Sequence, residues 1–275
     1  MGQNFLIDEN VLHKIIEASN LPAGRQGLKP NDIVLEIGPG LGALTMELAK
    51  RIKKVIAVEK DKRMCEILRE ILDAENVKNV EIVNDDILKI FNSQFSIFNK
   101  FSMTNYKIVA NIPYYLTSPL IRKFLEAEIH PEFMVLMIQK EVAERICALP
   151  PHMSILSIAV QFYAKPEIIS YVSKNSFSPV PKVNSAIIKI TPQIHANQCA
   201  DTRRNLHGID AKKFFELVKT GFSAKRKFLI NNLKKLDVRG SMFEDVFAKI
   251  GLNPKVRAEN LSINDWIRLY ENIQK

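Results

Sequence analysis

The sequence predicts an α/β protein: a doubly wound, mostly parallel sheet with an antiparallel hairpin at its edge over residues 1–192, then a small all-α domain over 193–275. Three observations predict it. Between Ile33 and Ile138, short apolar runs of strand character alternate with stretches of helical apolar spacing, the pattern of parallel strands joined by crossover helices. The first run ends in a glycine-rich turn, Glu36-Ile37-Gly38-Pro39-Gly40-Leu41-Gly42, where such sheets pass into their first helix and seat a ligand. Beyond Thr191-Pro192 the strand pattern stops and only helical spacing remains.

Composition narrows the class. With 275 residues, 47% of them hydrophobic and 25% charged, the chain can build a substantial globular core. No apolar run approaches the length of a membrane span, and no basic region with a signal-like apolar stretch opens the chain, so the expectation is a cytoplasmic protein without a membrane partner. Cys65, Cys147 and Cys199 are odd in number and far apart, which fits a reducing compartment. The five histidines share no ligand spacing with one another or with the cysteines, so no metal is expected. The formal charge is +9, and between Arg203 and Arg239 eleven Lys/Arg face only three acids. That concentration favours a phosphate-binding surface over diffuse charge.

In chain order, Gly2-Gln3-Asn4-Phe5-Leu6 is either a loose terminus or a segment folded back over a ligand, and the sequence leaves both open. Val11, Leu12, Ile15 and Ile16 then share a helical face behind Asp8 as N-cap. Leu21–Gly27 reads as a loop, and Ile33–Ile37 as the first buried strand. In the turn that follows, glycine admits positive φ and close backbone approach, and the helix behind it offers unpaired N–H groups. Gly38, Gly40 and Ala43 also satisfy dinucleotide spacing, so the turn alone does not choose its ligand. Val55–Val58 is a second strand ending in Glu59, where a carboxylate can accept from both hydroxyls of a ribose. After a helix through Met64, Ile67, Leu68, Ile71 and Leu72, a third strand ends at Asn84-Asp85-Asp86. Either aspartate suits an adenine amine, and spacing does not separate them. Phe91, Phe95, Phe98 and Phe101 suggest packing beneath an insertion.

The most informative stretch follows the fourth strand, Lys107–Ala110: Asn111-Ile112-Pro113-Tyr114-Tyr115. Proline biases Ile112 towards an extended conformation, so a carboxamide, a carbonyl and an aromatic ring lie together at the carboxyl end of a strand. A helix over Ser118–Ala127, a fifth strand over Phe133–Ile138 and a helix over Glu141–Ala148 come next. Ser157–Tyr163 and Ile168–Val172 fit strand or helix. Phe177-Ser178-Pro179-Val180-Pro181 leads into a strand over Asn184–Thr191, giving the edge hairpin, and Gln193–His207 reads as a polar linker.

Taken together, these residues resemble the ribosomal RNA adenine dimethyltransferases, in particular the small-subunit enzymes. The resemblance runs through Gly2–Leu6, Glu36–Gly42, Glu59, Asn111–Tyr114, Gln139–Arg145 and Phe177–Ser185. It continues into Lys225-Arg226-Lys227, Asn231-Asn232-Leu233 and Arg257–Ser262 of the second domain. It implies a Rossmann-like class I methyltransferase sheet, with S-adenosylmethionine held by Asn4, Leu6, Gly38, Gly40, Glu59, Asp86 and Asn111. It selects Asp86 over Asp85. The implied acceptor site is Asn111, Ile112, Pro113 and Tyr114, with Tyr114 and Phe177 stacking on either face of a target adenine. Arg203, Arg204, Lys225, Arg226 and Lys227 would grip RNA.

The implied function is dimethylation of two adjacent adenines in the 3′-terminal hairpin of 16S ribosomal RNA, with the small ribosomal subunit as partner, by a monomer. Two alternatives are a non-catalytic RNA-binding assembly factor and a large-subunit rRNA adenine methyltransferase. Three departures from the family pattern are visible: a short stretch before Gly2-Gln3-Asn4, a long Leu21–Gly27 connection, and Ser154-Ile155 where glycine and arginine are common.

Overall fold

A computed structural model describes residues 4–20, 27–90, 105–193, 208–236 and 243–273. Its contacts divide the chain into two units, Met1–Ala143 with Lys165–Pro192, and Glu144–Ala164 with Gln193–Lys275. Residues 144–164, expected within the first domain, therefore group with the second. The aromatic insertion, the Leu21–Gly27 loop up to residue 26 and most of the Gln193–His207 linker lie outside the described residues.

The first unit begins with strand β1 (Phe5–Leu6) and helix α1 (Glu9–Asn20). Its main sheet holds β2 (Ile33–Ile37), β3 (Lys54–Glu59), β4 (Val80–Asn84), β5 (Lys107–Asn111), β6 (Met134–Gln139), β7 (Ala164–Val172) and β9 (Ser185–Pro192). The spatial order is β4-β3-β2-β5-β6-β9-β7. Strands β4 to β6 are parallel, and β9 runs antiparallel to β6 with Met134 opposite Ile190 and Gln139 opposite Ser185. The chain travels outward from β2 to β4 and returns to β5 on the other side of β2. That reversal opens a crevice at the carboxyl ends of β2 and β5, the place where open α/β sheets bind ligands.

Local chemistry explains the elements. Strands β2, β5 and β6 are near-continuous apolar runs because both faces of a parallel sheet are covered. On one face, Val11, Ile15 and Ile16 of α1 pack with Val34, Val109, Val135 and Ile187. Each such side chain, fully buried, is worth about 1.5–3 kcal/mol. Helix α2 (Lys62–Ala74) is capped by Asp61, whose side chain accepts from the Arg63 N–H. The sheet's amino edge is closed by a buried cation: Lys107 Nζ lies 2.8 Å from both Asp32 Oδ1 and Glu132 Oε2.

The two stretches of open type resolve differently. Ser157 falls in a helix, Ile155–Gln161, and Ile168–Val172 in strand β7. Ser154, one of the departures, caps that helix: its Oγ accepts from the Ser157 N–H while Ser157 Oγ accepts from the Ser154 N–H. The N-terminal segment folds back. Phe5 and Leu6 pair with Ser178 and Phe177 of β8 (Phe177–Ser178), and Ser176 Oγ donates to Asp8 Oδ2 at 2.9 Å.

The second unit is helical among its described residues, built on Ala211–Gly221, Leu229–Leu233, Phe243–Ile250 and Ile263–Ile273. Phe162 stacks on Phe214 with ring centroids 4.4 Å apart, and Phe222 stacks on Trp266. Gly221 is required by that packing, since a Cβ there would come within 2.4 Å of the Trp266 ring. Buried Asn232 donates to the Gly221 and Ala224 carbonyls at 2.7 and 3.1 Å, fixing the turn that carries Lys225, Arg226 and Lys227.

Candidate active site

The crevice at the carboxyl ends of β2 and β5 is a cleft of about 1210 Å³. It is lined by all of the residues singled out for cofactor, Asn4, Leu6, Gly38, Gly40, Glu59, Asp86 and Asn111, and by Ile112, Pro113, Tyr114 and Phe177. They come from six separate stretches of chain, and the fold brings them to one cleft.

The three glycines of the turn have different tasks. Gly38, Gly40 and Gly42 all take positive φ, of 69°, 57° and 84°. Gly38 donates its N–H to the Val58 carbonyl at 2.9 Å, and a Cβ on it would sit 3.3 Å from Pro113 Cδ. The turn and the Asn111–Pro113 stretch thus form facing walls of the cleft, held close by the missing side chain. Gly42 serves packing: its Cβ would come within 2.4 Å of Leu68 Cδ1.

Acidic side chains line part of the cleft. Glu59 Oε1 accepts from the Asp61 N–H at 2.9 Å, while buried Oε2 has no partner among the described residues. Glu36 is fully buried, and its Oε2 is also unpartnered. Burial pushes the Glu36 carboxyl up to about 8; the nearby Thr45 hydroxyl opposes the rise, although it lies outside hydrogen-bond geometry, and the Glu59 charge adds to it. Asp86 is engaged: Oδ1 accepts from the Leu88 N–H at 3.0 Å and Oδ2 pairs with Lys60 Nζ at 3.1 Å. Burial alone would raise its carboxyl, but the Lys60 ammonium and the Leu88 N–H outweigh it and hold it below the usual carboxylate range. Asp85 also lines the cleft, and its Oδ1 accepts from the Asp86 N–H.

The opposite wall is set by the end of β5. Asn111 pairs with Met137, and Ile112 continues the ladder by one bond, its N–H donating to the Met137 carbonyl at 3.2 Å. Pro113, at φ −54° and ψ 128°, turns the chain out of the sheet into a single 3₁₀ turn over Tyr114–Leu116. Among the described residues nothing bonds the Asn111 carboxamide, so both of its polar atoms remain for a ligand. Tyr114 Oη and Ser185 Oγ are 3.0 Å apart, which fixes the ring on the cleft wall.

Phe177 differs from expectation in exposure. It lines the cleft but is 2% exposed, covered by its pairing with Leu6 and by the α1 core, whereas a ring that stacks on a base needs a free face. Tyr115, which sequence reasoning did not single out, lines the same cleft at 66% exposure. Ser185 was also missed as a partner for Tyr114, because 71 residues separate the two. Lys225, Arg226 and Lys227 are exposed and pair with no acid among the described residues; Arg203 and Arg204 lie outside them.

The residues present fit S-adenosylmethionine. Its ribose hydroxyls supply the donors that the buried Glu59 Oε2 lacks, and the glycine turn leaves room for a chain passing close to backbone. The cleft exceeds the roughly 300–1,000 Å³ usual for one ligand, leaving space for a second group beside the cofactor.

Comparison with known proteins agrees with this geometry. The family model for ribosomal RNA adenine dimethylase matches residues 1–275. A ribosomal RNA small subunit methyltransferase A from Dehalococcoides mccartyi (strain CBDB1) is 41% identical over 271 residues, covering 98% of this chain and 86% of the relative. The protein of the same name from Caldanaerobacter subterraneus is 40% identical, covering 98% and 94%. Among solved structures, a dimethyladenosine transferase from Plasmodium falciparum superposes with a TM-score of 0.75 at 30% identity, covering 96% of this chain and 95% of that one. The 23S rRNA methyltransferase ErmE gives 0.74 at 26%, covering 98% and 100%. With a cleft built for a nucleoside cofactor and a match over its whole length, the chain belongs to the ribosomal RNA adenine dimethylase family.

Proposed function

We propose that this protein acts as a monomer in the cytoplasm and dimethylates two adjacent adenines in the 3′-terminal hairpin of 16S ribosomal RNA, with a role in small-subunit biogenesis. The broader activity, S-adenosylmethionine-dependent dimethylation of rRNA adenine, is that of its family. One observation carries the site assignment: Asn111, whose carboxamide meets no hydrogen-bond partner among the described residues, lines the same cleft as Glu59, whose buried Oε2 also has none among them. The first is suited to a substrate and the second to a cofactor.

S-adenosylmethionine, when bound, supplies an electrophilic methyl group. The protein's task is to make a poor nucleophile attack it. An adenine amine has its lone pair delocalised into the ring, and no side chain here is basic enough to deprotonate it first. Asn111 Oδ1 and the Ile112 carbonyl each accept one N–H, which favours a pyramidal nitrogen with its lone pair freed. Tyr114, locked by Ser185, holds one face of the base. Phe177 takes the other face once substrate displaces part of its cover. Attack would be in line and dominated by positioning, with the N–C bond forming as the methyl's bond to sulfur breaks and the thioether S-adenosylhomocysteine leaves. The methylated amine releases a proton to water, and the N–H that remains can be held in the same way for a second transfer. On the cofactor side, Glu59 accepts from the ribose hydroxyls, Asp86 from the adenine amine, and Asn4, Leu6, Gly38 and Gly40 complete the seat. Lys225, Arg226 and Lys227, with Arg203 and Arg204, neutralise RNA phosphates and make binding salt-dependent.

The small-subunit assignment is supported by relatives of about 40% identity that bear that name, against 26% for the 23S enzyme. The test is incorporation of labelled methyl into undermethylated small subunits. Wild type should form dimethyladenosine, and Asn111→Ala should lose about 10²–10³-fold in kcat, the usual loss for one positioned polar contact at a reacting centre. No dimethyladenosine from wild type, or an Asn111→Ala rate equal to wild type, would overturn it.

A further inference from the structure

We propose that the first unit carries a separate anion site, a pocket of about 230 Å³ that binds a phosphate of the RNA strand beside the target adenosine. The pocket is lined by Lys140, Glu141, Lys174, Lys182, Val183 and Asn184. Three ammonium groups face one carboxylate, and Lys174 and Lys182 are exposed and pair with no acid among the described residues. Lys140 is steadied by the Tyr171 ring, whose centroid is 5.1 Å from Nζ.

Asn184 holds the pocket together. Its Oδ1 accepts from the Lys174 N–H and its carbonyl from the Lys140 N–H, both at 3.0 Å. Because Oδ1 is committed, the amide presents Nδ2 as a further donor. A space of this size suits a phosphate with a few waters, at about 30 Å³ per water.

Its connections place it in the RNA path. Lys140 follows Gln139, the last residue of β6, which pairs with Ser185, and Ser185 holds Tyr114. Lys174 and Lys182 bracket Phe177 along the chain. The pocket is thus tied to both aromatic walls assigned to the flipped base, where the adjoining backbone must pass. A phosphodiester spreads its charge over two oxygens and matches several ammonium donors at once. This inference rests on the RNA-methylating reading, and its test separates the two.

The experiment compares wild type, a Lys174→Gln/Lys182→Gln double variant and a Lys174→Arg/Lys182→Arg double variant on undermethylated small subunits. The Gln pair should raise KM for the subunit roughly three- to tenfold and flatten the plot of log affinity against log salt by about 0.7, one single-strand phosphate contact. Cofactor affinity and kcat at saturating subunit should stay at wild-type values, and the Arg pair should restore KM. In wild type, bound subunits should shield Lys174 and Lys182 from an amine-labelling reagent. Unchanged KM, salt slope and labelling would overturn the site, and so would shielding by inorganic phosphate equal to that by the subunit, which assigns the pocket to a free anion. If wild type makes no dimethyladenosine, the functional reading fails by itself, and the pocket stands or falls on the shielding and salt slope.

Discussion

At the amino edge of the main sheet, Lys107 is buried with Asp32 and Glu132 each 2.8 Å from its Nζ, whereas at the carboxyl edge Glu36 and Glu59 are buried with one oxygen apiece unpartnered. Both ends put ionisable groups where water is scarce. At the first end every charge meets its opposite inside the chain, so the arrangement closes on itself and stabilises the fold. At the second, the carboxylates are left incomplete, a costly state that becomes favourable when something outside the chain supplies donors. The contrast separates structural polarity from functional polarity without reference to any motif. Substitutions at the two edges should therefore change different observables.

The largest effect is expected at the closed edge. Lys107→Met leaves two carboxylates around an apolar side chain and should cost about 3–4 kcal/mol, near the low end for a broken buried pair because Asp32 and Glu132 reach some solvent. The urea midpoint should fall, while methylation measured well below that midpoint stays at the wild-type rate. A loss of rate without a loss of stability would erase the distinction between the edges.

Next comes Glu36, whose carboxyl burial raises to about 8. Its folded value lies above its unfolded one, so its contribution to stability is complete below about pH 4.5 and is lost as pH rises through 8. Glu36→Gln removes that titration. Cofactor-free wild type should lose on the order of 3–4 kcal/mol more than the variant between pH 5 and pH 8.5, read as Tm against pH. Parallel curves for the two proteins would show that Glu36 stays ionised and has a donor after all.

At Glu59 the expected change is in binding. Glu59→Gln converts the orphaned acceptor into a weaker, half-donor group and should weaken S-adenosylmethionine binding roughly 30-fold, about 2 kcal/mol for hydrogen bonds to a charged group. The Tm of the free protein should not fall, since the wild-type oxygen has no partner to lose. Isothermal titration alongside a melting curve checks both halves.

The two edges were unequally legible in the sequence. Glu59 stands out because it follows a strand-like run at the spacing of a doubly wound sheet, the Asp85-Asp86 pair because it ends the next strand, with the family resemblance alone choosing Asp86, and Asn111 because proline two residues on forces its neighbour out of helix. These are local signals, within a few residues of the chain. Lys107 offers none: it reads as the polar start of a strand, and its partners lie 75 residues before and 25 after it in the sequence. The same limit hid the pairing of Leu6 with Phe177, which decides between a loose terminus and a folded one and covers the Phe177 ring. Ser157–Tyr163 and Ile168–Val172 were ambiguous for another reason, being too short for periodicity to separate helix from strand. The division of the chain was blurred because the boundary between residues 143 and 144 falls inside one helix, Lys140–Ile146, while Met153, Ile158 and Phe162 pack into the second unit's core.

The smallest predicted effect tests whether a closed polar contact can sit inside the open edge. Ser185 is buried at the start of β9, and its hydroxyl meets Tyr114 Oη at 3.0 Å, so this pair is complete in the way Lys107 is, yet it lies on the cleft wall. Under the proposed function its role is to orient a ring that would touch substrate, not to touch substrate. Ser185→Ala removes one neutral hydrogen bond and little volume, which should cost about 1 kcal/mol of stability. If the bond only supported the fold, kcat and KM would be untouched at temperatures where the variant is folded. Because it fixes the Tyr114 ring against the base, kcat should instead fall about three- to tenfold, the kinetic equivalent of 0.7–1.4 kcal/mol, with cofactor affinity unchanged. Ser185→Thr, which keeps the hydroxyl, should recover most of the rate, and failure of that rescue together with an unchanged Ser185→Ala kcat would return the contact to the structural class.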